Sequence, residues 1–405
     1  MAHRGLTRAA RHWAGVPVVA RVAMVYIAGR LFTTALLAAA ATISGPSSRF
    51  GADAGIGDFV VGWDAQWYWL VAWEGYPSVL PLTGSGDVAE NAWAFMPVFA
   101  YAAQIIGIPL GSWGAGALVL SLVAGFVACL ALHRLLRRRV GASAALWAVT
   151  FFAWGPLAAL FQVGYAEVLF VMLLLIALDL VSRHRYGLVY PLIVVMAFTR
   201  PGILAFALFL GLHGIQRWRC RRAEPLPGAH VVHIIALGAL ATATGFAWQV
   251  IAALVTGRAD AYLATELAWR RNWGIDAGGF VPFDGWVRAS EFWFGHWGMP
   301  SWIGPVVLGL LVVGLAALLI VPRAVRMLGA DIRLWSASYL LYLLAVFFPQ
   351  SSTFRLLLPL TPLVGAVAVP RSRVWRLGVL AACAAGQWVW IYHMYAMGDT
   401  FWRVP

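Results

Sequence analysis

Charge is scarce in this chain, and one basic side chain is missing altogether. Charged residues make up 11% of the 405 positions, and all 29 basic residues are arginine; there is no lysine. Against this stand a hydrophobic share of 62% and a mean hydropathy of +0.80. No soluble core of this size needs so much apolar surface, so the composition describes a polytopic, all-helical membrane protein. Cysteine is nearly absent. Cys129, Cys220 and Cys383 fall in two spans and one cytoplasmic loop of the topology below, so they imply no disulfide framework. A glycine-rich phosphate loop, zinc-type ligand spacing and a nucleophile elbow are all lacking, so no metal site is expected. No internal repeat marks a transporter built from two halves.

The net charge of +13 points to a membrane and not to nucleic acid, because of where the arginines lie. Twenty of them form six clusters near or between apolar segments: Arg4 to Arg21, Arg134 to Arg139, Arg183 with Arg185, Arg217 to Arg222, Arg323 to Arg333, and Arg371 to Arg376. Such clusters mark the cytoplasmic side of a bilayer. Taking about 20 apolar residues per span, the expected spans are 22–43, 113–133, 142–160, 165–182, 187–199, 201–216, 230–255, 302–321, 334–349, 354–370 and 375–396. These eleven put the N-terminus in the cytoplasm and the C-terminus outside. The first segment is too long for a signal-peptide core and carries Arg30, so it is read as a retained span. Residues 94–110 are also apolar, but a span there would move the arginines at 134–139 outside. With Pro97 and Pro109 they read as a juxtamembrane helix at the outer surface.

In this topology thirteen of the sixteen acidic residues lie outside or at the outer edge. Acidic residues contribute little to orientation, so insertion does not explain the imbalance. It singles out two outer loops, 44–112 and 256–301, as the place of polar work. The first contains Gly62 to Tyr76, GWDAQWYWLVAWEGY, with Asp64 and Glu74 among six aromatic residues. A helix over 63–76 puts Asp64 and Tyr68 on one face, beside a stripe of Trp63, Trp67, Leu70 and Glu74. Asp64 is then a general base at the bilayer surface, with Trp and Tyr rings as platforms for a sugar. A solvated carboxylate in an interfacial aromatic belt is the plainer alternative.

Glu167, with Tyr165 in FQVGYAEVLF, opens the fourth span near hydrocarbon depth, where an ionisable residue is costly and functionally suspect. The plainer role for it is an N-terminal helix cap. Arg200 and Arg355 sit at outer span ends, and a guanidinium suits phosphate through paired, charge-assisted hydrogen bonds. Snorkelling toward lipid phosphates is their alternative. Arg270, Arg271 and His296 are softer candidates in the second outer loop. Within the first span, the candidate partner of Arg30 is Asp179, the one acid deep in another span's inner half.

These blocks together resemble the PIG-V-type mannosyltransferases, within the GT-C superfamily of polyprenyl-phosphate-sugar-dependent glycosyltransferases. Trp63-Asp64, Trp67-Tyr68, Ala72 to Tyr76 and Ala94 to Phe99 look like the first outer loop of that family. Gly155-Pro156 through Tyr165-Ala166-Glu167 is similar to its Pro…Tyr-Ser-Glu segment, with Ala166 for Ser. Thr199-Arg200-Pro201-Gly202 is similar to its Arg-x-x-Gly turn, one residue shorter. Arg355 followed by Pro359 and Pro362 resembles its C-terminal block, whereas Ala100 replaces a second proline after Pro97. The lysine-free, alanine-rich composition suggests a high-GC bacterium.

The resemblance implies a single GT-C-like membrane domain over 1–405, with the loop at 44–112 catalytic. It implies a polyprenyl-monophosphate mannose donor, a glycolipid or lipoglycan acceptor, and transfer at the outer face of the cell membrane without a cofactor. Asp64 is then the base of an inverting displacement, Arg200 and Arg355 with Arg270 stabilise the departing lipid phosphate, and Glu167 orients hydroxyls. Arabinose, glucose or galactose in place of mannose is the near rival. A lipid or solute transporter is the distant one, and a catalytically dead envelope scaffold is a third.

Overall fold

The structure, a computed structural model, describes residues 15–271, 279–398 and 405. Arg4, Arg8 and Arg11 of the first arginine cluster lie outside the described residues. About 74% of the chain is helical, and the described residues form no strand. The helices of eight or more residues are α1 (Val18–Ile43), α2 (Asp64–Glu74), α3 (Pro97–Gly107), α4 (Trp113–Val140), α5 (Ala142–Ala153), α6 (Glu167–Ser182) and α7 (Tyr190–Ala197). They continue with α8 (Ile203–Arg219), α9 (Gly228–Thr256), α10 (Ala261–Arg271), α11 (Asp284–His296), α12 (Ile303–Ile320), α13 (Ala330–Val346) and α14 (Arg373–Ile391).

Five of these reach membrane-spanning length and apolarity: α1, α4, α9, α12 and α14 with its continuation to Ala396. The other segments read as spans are shorter or broken. Proline explains where. The segment 142–160 is helical only to Ala153, then breaks ahead of Pro156 and resumes as a 3-10 turn at Ala158–Gln162. The segment 354–370 is divided into Thr353–Leu356, a 3-10 stretch Leu358–Leu363 containing Pro362, and Val364–Ala368. A proline lacks the amide hydrogen that the ladder needs and clashes with the preceding turn.

Arg30 departs from the pairing expected for it. Its guanidinium donates to the carbonyls of Ala158 (Nη1, 2.6 Å) and Ala153 (Nη2), and lies over the Phe161 ring at 4.5 Å. Ala153 ends α5, where a carbonyl has no partner further along the helix and a cation satisfies it; Ala158 opens the 3-10 turn that follows the break. Asp179 is held instead by Arg134 (2.9 Å) and Arg183 (2.8 Å).

Helix α4 is the central pillar, packed on α3, α5 and α6. Its contact with α3 depends on glycine: a Cβ on Gly116 would stand 2.0 Å from the Ala103 carbonyl oxygen and 2.5 Å from the Gly107 nitrogen. Both obstacles are backbone and cannot rotate away. Gly116→Ala is therefore expected to separate the two helices at a cost of about 1–3 kcal/mol. Thermal unfolding in detergent checks this, with Gly238→Ala as the control because nothing lies within 4 Å of its added Cβ. Equal midpoints for the two variants would contradict the close approach.

The pillar also separates two chemical ends. At one, Arg134 meets Asp179, Arg217 meets Glu224 (2.7 Å) and His213 meets Asp331 (2.7 Å). At the other, the starts of α2, α4 and α6 meet the chain that follows α7 and α13. The candidate site occupies this second end.

Candidate functional site

The site begins at a strained residue. Trp63, which precedes α2, has φ 53° and ψ −125°, a conformation that costs a side chain with a Cβ about 1–3 kcal/mol. Two anchors hold it there. Its indole Nε1 donates to the Met394 carbonyl at 2.9 Å, and its ring packs edge-on against Phe50 at 5.9 Å. The turn delivers the next residue, Asp64, as the first of α2, where unpaired backbone amides favour a carboxylate.

Three further charged side chains arrive from separate breaks in the fold. Glu167 opens α6, and Arg200 lies in the turn between α7 and α8. That turn requires Gly202, whose φ of 138° other residues rarely adopt. Arg355 comes from the short helix Thr353–Leu356. Its Nη1 donates to Asp64 Oδ2 at 2.5 Å and to Glu167 Oε1 at 2.9 Å. Arg200 Nη1 stands 3.4 Å from the same Glu167 oxygen. Beneath this network the Tyr165 ring faces the Arg355 guanidinium at 5.3 Å.

Two carboxylates and two guanidiniums thus form a buried group whose formal charges cancel. Their exposures differ: the Asp64 side chain is 20% exposed and the Glu167 side chain 4%, so Asp64 is the carboxylate that faces solvent. Burial raises the Asp64 pKa above its ordinary value of 3.8, Arg355 pulls it down, and Glu167 adds to the rise. Only Oδ2 of Asp64 is engaged by a side chain among the described residues, which leaves Oδ1 free to take a proton.

Asp64 and Arg355 open into a cavity of about 930 Å³. Trp63, Trp67, Trp113 and Trp269 supply much of its wall, and Gln66, Gln350 and Ser352 add amide and hydroxyl groups. Trp67 lies almost parallel to Phe95 (5.5 Å, 6°) and edge-on to Trp269 (5.7 Å), so its plane is fixed from behind. Flat rings beside amides and hydroxyls suit a sugar: the rings cover apolar C–H faces while the polar groups bond hydroxyls.

Other residues flagged in the sequence take different positions. Tyr68 is buried against Phe95 and Phe99 behind the cavity wall. Glu74 is exposed at the far end of α2 and does not line the cavity. Arg270 donates to the Val346 carbonyl at 2.9 Å, tying α10 to the end of α13. His296 is exposed on α11 and stacks on Phe292 at 6.0 Å. Neither Arg270 nor His296 lines the cavity, and Glu167, Arg200 and Tyr165 sit behind Arg355 without lining it.

Two groups escaped sequence reasoning. Arg49 lines the cavity, and its signal was available: it is the one arginine in the whole segment 44–112. Glu266, on α10 one turn before Arg270, has its carboxyl pushed up to about 7 by burial, against opposing effects of Tyr262 and Arg270. Nothing in the sequence distinguishes it from a solvated helix glutamate. Among the described residues no group of three His, Cys, Asp or Glu side chains gathers as a metal site does.

No protein-family model and no curated protein matches the chain. Solved structures do. ArnT from Cupriavidus metallidurans, in a crystal structure bound to undecaprenyl phosphate, superposes with a TM-score of 0.50 at 13% identity. The match covers 94% of this chain and 65% of that one, so this chain spans about two thirds of ArnT's length. The oligosaccharyltransferase AglB from Archaeoglobus fulgidus, in complex with an inhibitory peptide and a dolichol-phosphate, gives 0.34 at 14% identity, covering 91% and 55%. A second structure of the Archaeoglobus fulgidus oligosaccharyltransferase, with Zn and sulfate, gives 0.36 at 14% identity, covering 90% and 52%. The likeness to ArnT is one of fold: a helical, multi-pass membrane architecture of GT-C type. The looser superpositions carry no further argument.

Proposed function

We propose that the chain is an inverting glycosyltransferase of the PIG-V type, moving mannose from a polyprenyl monophosphate to a lipid-linked acceptor at the outer membrane face. The observation that carries this reading is the Asp64–Arg355 contact in the wall of a tryptophan-rich cavity. It joins a candidate proton acceptor to a candidate phosphate partner. The fold shared with ArnT, which has been crystallised with undecaprenyl phosphate, supports a lipid-phosphate carrier. Mannose rests on the sequence resemblance of residues 63–76 and 94–99.

The chemistry is a single displacement. An acceptor hydroxyl oxygen attacks the anomeric carbon while the bond from that carbon to the phosphate oxygen breaks. The electron pair leaves with the phosphate, and Asp64 accepts the hydroxyl proton. Positive charge on the ring in the transition state is met by the nearby carboxylate, as in glycoside hydrolysis. Arg355 stabilises the departing phosphate. In doing so it releases Asp64, so donor binding and base activation are the same event. Arg200 holds Glu167 in place as that exchange occurs.

The test is transfer of label from polyprenyl-phosphate mannose to lipid by the purified protein with bacterial lipid extract. Unlabelled arabinose, glucose and galactose donors compete in parallel. Transfer from mannose that the other donors do not suppress is the expected result. Suppression by another donor would reassign the sugar, and donor binding without transfer from any sugar, despite a full set of bacterial glycolipids, would overturn the reading.

Asp64 must be ionised to act, and its pKa is raised. Activity should therefore fall with pH along an acid limb centred above the ordinary aspartate value of 3.8. A limb centred at or below that value would show that Asp64 is not a buried base.

A further inference from the structure

The four charges in and behind the cavity wall cancel, so they do not by themselves attract an anion. Arg355 spends one nitrogen on two carboxylates, and Arg200 lies out of reach of the cavity. An anionic donor needs a positive group that is not already neutralised. Among the described residues, one cavity-lining guanidinium meets that condition. Among the described residues no carboxylate lies within ion-pair distance of Arg49, whose side-chain partners are the Gln66 amide and the Trp63 ring.

Arg49 is also held in place. Its backbone nitrogen donates to the Gly398 carbonyl at 2.8 Å, and the turn around it is closed by Ser48 to Gly45 (2.9 Å) and Gly51 to Ser48 (3.0 Å). The next residue, Phe50, is clamped between Phe59 (5.0 Å), Trp63 (5.9 Å) and Tyr395 (6.2 Å). The guanidinium lies over the Trp63 ring at 4.6 Å, and its Nη2 donates to Gln66 Oε1 at 2.8 Å. Trp63 is the strained residue that sets Asp64, so one indole positions both the carboxylate and this cation. An arginine stacked, oriented and left without a counter-ion is pre-organised for a phosphate, which takes two of its N–H groups at once.

The geometry points to Arg49 as the residue that captures the donor's lipid phosphate at the cavity mouth. Arg355 then engages that phosphate only as Asp64 is released. The assignment rests on the transferase reading above and makes it specific: the first phosphate contact comes from the loop before α2, not from the buried arginines.

The test uses the full chain in detergent and measures binding of polyprenyl monophosphate and of the neutral polyprenol. Arg49→Gln should weaken the phosphate lipid about tenfold or more and leave the polyprenol unchanged. Arg49→Lys keeps the charge but loses the fork and the stacking, and should fall between the two. In turnover, Arg49→Gln should raise KM for the donor and not for the acceptor. If phosphate-lipid binding is unchanged and the acceptor KM rises instead, Arg49 serves an acidic acceptor headgroup and the assignment fails. Equal binding by wild type and both variants also overturns it, while leaving the transferase reading intact. A wild-type protein that binds no polyprenyl phosphate removes both.

Discussion

Asp64→Asn should abolish transfer while leaving the donor bound. The asparagine carbonyl can still accept the Arg355 hydrogen bond, and because this side chain is 20% exposed against 4% for Glu167, water offsets more of the charge left unpaired. The fold and the cavity are largely kept, and the proton acceptor is lost. A positioned general base contributes about 10²–10⁴-fold, and turnover should fall by that factor at saturating donor. Donor affinity should hold or tighten, because the phosphate contacts come from arginines and a neutral asparagine competes less for Arg355. Turnover within tenfold of wild type would unseat Asp64. The next group to examine would then be Glu266, whose carboxyl is pushed up to about 7 by desolvation.

The second large effect concerns stability. Glu167 is the shared partner of Arg200 and Arg355, at 3.4 Å and 2.9 Å, and its side chain is 4% exposed. Glu167→Gln leaves two buried guanidiniums facing one carboxylate. Removing one partner of a buried ion pair costs about 3–5 kcal/mol, because the charge left behind is unpaired and poorly hydrated. The variant should unfold at a much lower temperature in detergent, and its yield should drop. Adding Arg200→Gln restores charge balance and should recover part of the loss. An unchanged midpoint for Glu167→Gln, or no recovery in the double variant, would mean the network is not a coupled unit.

Much of the site was legible because its chemistry conflicts with its surroundings. A carboxylate among tryptophans at a membrane edge, and arginines on the side where arginine is scarce, stand out against an apolar chain. Asp64, Glu167, Arg200 and Arg355 could be named on those grounds, although no local pattern says that one nitrogen of Arg355 bridges both acids. Arg49 was harder. It belongs to no motif; being the one arginine in 44–112 marks it in the sequence, but its lack of a carboxylate partner among the described residues shows only in three dimensions. Glu74 and Tyr68 lie near Asp64 in sequence, but the turn at Trp63 aims the cavity-facing side of α2 through Gln66, Trp67 and Leu70.

The fold was legible to the same degree. Apolar length identified α1, α4, α9, α12 and α14, since hydrophobic runs of that size have few other uses. Breaks were the difficulty. Prolines at 156, 359 and 362 were visible, but not that the carbonyls of Ala153 and Ala158, on either side of the first break, would claim Arg30. Charge alone pairs Arg30 with Asp179. The structure favours a dipolar solution on one side and two local arginines on the other.

The measurement closest to the central claim is the stereochemical outcome of one turnover. A polyprenyl-phosphate mannose of known anomeric configuration is supplied, and the linkage in the lipid product is determined. Direct attack, with Asp64 taking the proton and Arg355 the phosphate charge, requires the product to have the opposite configuration. Retention would require a covalent or ion-paired intermediate on the same face of the sugar, and would contradict the single displacement.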